Sequence, residues 1–111
     1  MSNQIKLKKG EGKTITFTIK DSDGDVVDVS SATFTFGVKD DIDDSDYVIE
    51  KENANFDTTQ SASGIISVVI SSTDTDINPD IYVAELKIDF GSGIVDKSKN
   101  IAFEIEKTVI S

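Results

Sequence analysis

The run DIYVAELKIDF, residues 80–90, decides the fold class. Tyr82, Ala84, Leu86, Ile88 and Phe90 fall on one side, and Glu85, Lys87 and Asp89 on the other. That is a period of two, the signature of a half-buried strand, whereas a helix repeats every 3.6 residues. Working outward, the same alternation recurs. KTITFTIK (13–20) sets Ile15, Phe17 and Ile19 against threonines, and ATFTFGVK (32–39) sets Phe34, Phe36 and Val38 inward. GIISVVIS (64–71) does so with Ile66, Val68 and Ile70, and NIAFEIEKTVI (100–110) with Ile101, Phe103 and Ile105. QIKLK (4–8) and YVIEKE (47–52) read as two weaker strands. The β-branched and aromatic content of these segments suits a pleated surface.

The intervening residues are turn formers. DSDGD (21–25) precedes a short VVDV segment, and GSG (91–93) between two strong strands predicts a tight hairpin. The only proline, Pro79, stands just ahead of a strand, where a missing N–H costs least. No window keeps a helical period, and one helical turn at most is expected, near 72–78. Seven to eight antiparallel strands at spacings of about ten residues predict an all-β, immunoglobulin-like β-sandwich forming one domain, 1–111. The alternative is a small barrel. There is no Cys…Trp…Cys pattern, so the likeness to immunoglobulin domains is architectural.

Composition narrows function. The 111 residues contain no cysteine, histidine, tryptophan or arginine, and all 11 cationic side chains are lysines. Missing histidine removes the commonest general base and transition-metal ligand. Missing arginine removes the planar fork that grips phosphate. A formal charge of −10 repels nucleic acid and anionic lipid and favours cationic partners or hard cations. MSNQIKLKKGEGK carries no apolar leader core, and runs such as GIISVVI are too short to span a bilayer, so no membrane insertion is expected.

Four groups of residues are candidate chemistry. Asp21, Asp23 and Asp25 alternate around Gly24 in DSDGDVVD. A helix–loop–helix calcium loop requires the glycine after the third acid and a glutamate at the twelfth position, which here is Ala32. A β-turn fits better, since Asp bonds its own backbone and Gly supplies positive φ. Asp40, Asp41, Asp43, Asp44 and Asp46 place five carboxylates within seven residues. They form either a solvated loop tip or a loose calcium or lysine-rich partner contact. A carboxylate pair for glycoside hydrolysis lacks both a cleft and a sugar-stacking tryptophan. Lys6, Lys8 and Lys9, with Lys13 nearby, read as guards of an edge strand or as a dock for an acidic partner, another copy included. Tyr82 reads as a core anchor, with a hydroxyl bond at a sandwich corner as the alternative.

The order of these segments resembles a known family. KGEGKTITFTIKDSDGDVVDVSSATFTFGVKD, GIISVVISSTDTDINPDIYVAELKIDF, a GSG turn and IAFEIE are similar to the N-terminal immunoglobulin-like domain of phage baseplate upper proteins. Gly24, Val27, Asp28, Val29, Ala32, Phe34, Phe36, Asp76, Ile77, Pro79, Tyr82 and Glu85 fit the family's places, while Asp80 stands where the family has glycine. The resemblance implies a non-catalytic structural module of a phage or prophage tail, docking by protein–protein contacts to other tail or baseplate proteins or to copies of itself. It implies a virion tail location after assembly in the host bacterial cytoplasm, and no cofactor. The alternative is a cell-surface glycan- or protein-binding module, assisted by calcium. An enzyme is not expected, given the missing histidine, cysteine and arginine and the small size.

Overall fold

A computed structural model describes residues 4–98 and 100–109. The remaining residues of the expected 1–111 domain, with Ile110 of its last strand segment, lie outside the described residues. The described residues form nine strands: β1 (Gln4–Lys8), β2 (Lys13–Thr18), β3 (Thr33–Lys39), β4 (Ile49–Lys51), β5 (Phe56–Asp57), β6 (Ile65–Ile70), β7 (Asp80–Gly91), β8 (Ile94–Lys97) and β9 (Ile101–Glu106). One sheet runs β1-β9-β7-β3-β4, with β8 also on β7, and the other runs β2-β6-β5. Two sheets face each other across one core, so the chain is an all-β sandwich.

Alternation explains which face is buried. Phe34, Phe36 and Val38 of β3, Tyr82, Ala84, Leu86 and Ile88 of β7, and Phe103 and Ile105 of β9 are buried on the inner face of the larger sheet. Ile66, Val68 and Ile70 of β6 and Phe56 of β5 oppose them. Phe36 sits at the centre, its ring 5.8 Å from that of Phe17 on the smaller sheet and 6.3 Å from that of Phe103 beside it. Both tilted pairs lie within the range aromatic rings prefer.

Several expectations need correction. The described residues hold nine strands rather than seven to eight, and these are not all antiparallel, because β1 pairs with β9 in parallel. The extra count arises because the last long hairpin arm is broken. β3 occupies one edge of β7 along 83–89, so β8 and β9 share the other, β8 opposite 87–91 and β9 opposite 80–84. Between them, Ser98 bonds Leu86 twice, its N–H to the carbonyl at 2.8 Å and its hydroxyl from the N–H at 2.9 Å. The short VVDV segment makes a single bridge, Lys20 to Val26, and then buries Val29 against Ser61. Two short helical turns form at Asn53–Asn55 and Ser61–Ser63, against one at most expected; near 72–78 the chain makes a single turn, with the Thr75 N–H on the Ser71 carbonyl at 3.3 Å and Ser71 and Asp74 bonding through their side chains. YVIEKE shortens to β4, Ile49–Lys51.

The hairpin and corner expectations hold. Gly91, Ser92 and Gly93 all take positive φ (84°, 53° and 82°), which places a tight turn between β7 and β8. Asp80 opens β7 directly after Pro79. The Tyr82 hydroxyl donates to the Asn78 carbonyl four residues upstream, locking the entry to β7 as a tyrosine corner does.

Candidate interaction surface

The strand directions sort the loops into two ends. The β1–β2 turn, the β3–β4 loop and the β6–β7 loop share the lower end. Residues 19–32 and the Ser92–Gly93 turn occupy the upper end.

At the upper end, Asp21 is spent on a turn. Its Oδ1 accepts from the Asp23 N–H at 2.9 Å and the Asp25 N–H at 3.0 Å, while Gly24 takes φ of 85°. This is the turn reading of DSDGD, with the aspartates exposed. Asp28 caps a separate turn through the Ser30 N–H, and hydrogen bonds from Ser30 hold its carboxyl below the ordinary value.

At the lower end, the loop of Asp40, Asp41, Asp43, Asp44 and Asp46 is also internally bonded. Asp41 Oδ1 accepts from the Asp43 N–H at 3.0 Å, and Asp44 Oδ2 from the Asp41 N–H at 3.1 Å. Among the described residues, no three acidic side chains are grouped to hold a metal ion. The loop lies beside the start of β7. Burial pushes the Tyr82 hydroxyl up, and the charges of Asp40 and Asp80 push it further.

The lysine group divides. β1 is an edge strand, as expected. Lys9 is not free for docking: its ammonium lies 3.0 Å from Asp76 and 3.3 Å from the Ile77 carbonyl. Lys6 faces Glu104 across the parallel pair at 3.8 Å. Among the described residues Lys8 has no ion pair, although its N–H donates to Glu11. Thus one of the three tethers a loop of its own domain, which edge guarding and partner docking both leave unexplained.

The residues missed by pattern reading lie on the outer face of the larger sheet. Register fixes the rows there. Lys8 and Glu106 form the lowest, then Lys6, Glu104 and Ile81, and then Gln4, Ala102, Val83 and Lys39. Next come Glu85, Gly37 and Glu50, then Lys97, Lys87 and Thr35. The Tyr47 ring lies on Gly37, where any Cβ would overlap it, and Lys39 sits 5.0 Å from the ring centroid. A shallow groove of about 270 Å³ runs past Tyr47, Lys39, Glu85, Lys87 and Lys97. A second depression joins the acidic loop to Ile42, Ile81 and Ala102. Ile81, Ile42 and Tyr47 are 62%, 58% and 47% exposed, so this face carries an apolar band that water now covers. Gly37 inside a strand pattern was the available signal, since an isolated strand glycine marks a close approach.

No family model matches the chain, and no curated protein matches it.

Proposed function

We propose that this chain is a non-catalytic assembly module of a phage or prophage tail that works by protein–protein docking. The observation carrying this reading is the outer sheet face, where an apolar band is flanked by acidic and basic residues. Interfaces of assembling proteins combine such an apolar centre with a polar rim. The residues behind the family resemblance also have definite structural work. Gly24 supplies a positive φ, Val29 and Ala32 seal the core, and Tyr82 locks the corner. Asp80, the departure from the family pattern, is not among the residues with positive φ and accepts from the Ile81 N–H. A glycine is therefore not required there.

Purified tail particles from an induced host test the reading, by mass spectrometry for this chain. Its presence at stoichiometric level, with its gene among tail genes, supports the proposal. Its absence from the particles overturns it. The glycan-binding alternative draws on the half-exposed Tyr47 ring beside polar groups in the groove. Titration calorimetry against cell-wall saccharides, with and without calcium, separates it: heat abolished by Tyr47→Ala would favour that module.

A further inference from the structure

We infer that the open edge of β2 takes up an extended segment of a partner protein, as an added antiparallel strand of the smaller sheet. The inference rests on the assembly reading for its biological setting, and on the hydrogen-bond register of β2 for its geometry.

That register shows which backbone groups β2 leaves over. The Ile19 N–H donates to the Gly64 carbonyl at 2.7 Å, in line with the β2–β6 ladder. Bonded pairs alternate in an antiparallel ladder, so Phe17, Ile15 and Lys13 also turn their N–H and C=O groups toward β6. Thr14, Thr16 and Thr18 therefore turn theirs off the edge of the sheet. Among the described residues, no other backbone group bonds them there.

Edge strands are ordinarily guarded, and the others here are. β1 carries Lys6 and Lys8, β8 ends in Asp96 and Lys97, β4 has three residues and β5 has two. β2 runs six residues without proline or register shift, and from Thr14 to Thr18 it has no charge. Its inner side is also incompletely covered. The turn at 9–12 joins β1 to β2, so their edges flank the same side of the sandwich. Ile5, Ile15, Phe17 and Ile19 pack against the core there but are only partly buried. An added strand would bond the three threonine N–H and C=O pairs and lay alternate side chains over that apolar seam.

Area and charge choose the occupant. Six residues make an edge about 20 Å long, covering roughly 400 Å² on each side. Two folded copies joined there fall short of the roughly 800 Å² per partner that a stable pair needs, whereas one extended segment needs no more than the edge. Past the top of β2 stand Asp21, Asp23 and Asp25 against Lys20. At the bottom the charges balance, with Lys8 opposite Glu106, Lys9 on Asp76, and Lys13 close in sequence to Glu11. An antiparallel segment begins at the acidic top. The fitting partner thus opens with basic residues and continues in alternating apolar and hydroxyl residues, the apolar ones facing the seam.

A labelled probe peptide, two lysines followed by three valine–threonine repeats, tests this against the full chain by fluorescence anisotropy. It should bind with a Kd of about 100 µM or tighter. In amide exchange, Thr14, Thr16 and Thr18 should be unprotected in the free chain and protected with peptide, while Ile15 and Phe17 are protected throughout. Thr16→Pro deletes one outward donor without touching the β6 ladder. With its thermal melt confirming the fold, it should weaken binding about tenfold or more. N-methylation of the peptide's threonines, the residues placed to bond β2, should abolish binding to wild type. Moving both lysines to the peptide's C-terminal end should weaken it at least about threefold. Absence of binding at about 1 mM peptide overturns the inference. So does binding that folded Thr16→Pro or N-methylation leaves unchanged, or that leaves the three amides unprotected. Equal affinity for both lysine placements overturns the antiparallel direction. Protection that grows with chain concentration alone puts a second copy on the edge and overturns the extended partner. Failure here leaves the tail reading standing, because that is decided in purified particles; absence from particles leaves the edge site standing.

Discussion

Tyr82→Phe removes one oxygen from a buried ring. The lost bond to the Asn78 carbonyl should cost about 1 kcal/mol. The variant also changes the response to base. Because the folded hydroxyl titrates above its ordinary 10.0, the unfolded chain loses that proton first as pH rises. The stability this group confers is full below about 10 and falls as pH rises through the folded value. Chemical denaturation from neutrality to pH 11 should show an alkaline decline in wild type that is shallower in Tyr82→Phe. Asp74 behaves oppositely. Burial alone would raise its carboxyl, but Lys51 at 2.7 Å and the Ser71 N–H and hydroxyl hold it below the ordinary 3.8. Its contribution is full above about 4 and is lost as pH falls through the folded value. Asp74→Ala should cost about 1–3 kcal/mol at neutral pH and show less loss on acidification. Equal acid sensitivity in wild type and variant would remove this explanation. Gly64 is a backbone case. It takes φ of 77°, and a Cβ there would lie 2.8 Å from the Ile19 carbonyl oxygen and 2.9 Å from that of Val27. Gly64→Ala should therefore cost about 2 kcal/mol or more, read as a lowered denaturation midpoint.

Among elements, the break between β8 and β9 is the place where one side chain replaces ladder bonding. Ser98 serves both backbone groups of the buried Leu86. Ser98→Ala strips the partner from the Leu86 N–H and should cost about 1–3 kcal/mol. Amide exchange should show it locally: Leu86 should lose protection while Phe36, deeper in β3, keeps its own. Uniform loss across both strands would point to global destabilisation instead. The sequence carried the long strands because alternation survives wherever one face is wet, and β3, β6, β7 and β9 each have such a face. It missed what depends on distant neighbours. VVDV has strand-like residues, but Val29 spends its N–H on the Ser61 carbonyl rather than on a ladder. The parallel β1–β9 pair has no local signature, since its strands lie about one hundred residues apart and register is set in space. The outer-face surface was illegible for a related reason. Lys87 and Lys97 read as ordinary polar positions until pairing sets them opposite each other.

At the scale of the molecule, charge is the unusual quantity. The acidic loops of Asp21–Asp25 and Asp40–Asp46 lie at opposite ends of the strands, more than a Debye length apart at physiological salt. Repulsion therefore acts mainly within each end, above all among Asp40, Asp41, Asp43, Asp44 and Asp46. Salt should screen that repulsion, while the partly buried Lys51–Asp74 pair is screened less and the exposed Lys6–Glu104 pair contributes little. The melting temperature of the dilute chain should thus rise as salt increases from about 20 mM to about 300 mM. Neutralising two exposed loop acids, Asp43→Asn with Asp46→Asn, should raise the low-salt melting temperature and flatten its salt dependence. A melting temperature that falls with salt in the dilute monomer would mean that attractive pairs, not the acidic loop, dominate the electrostatics of the fold.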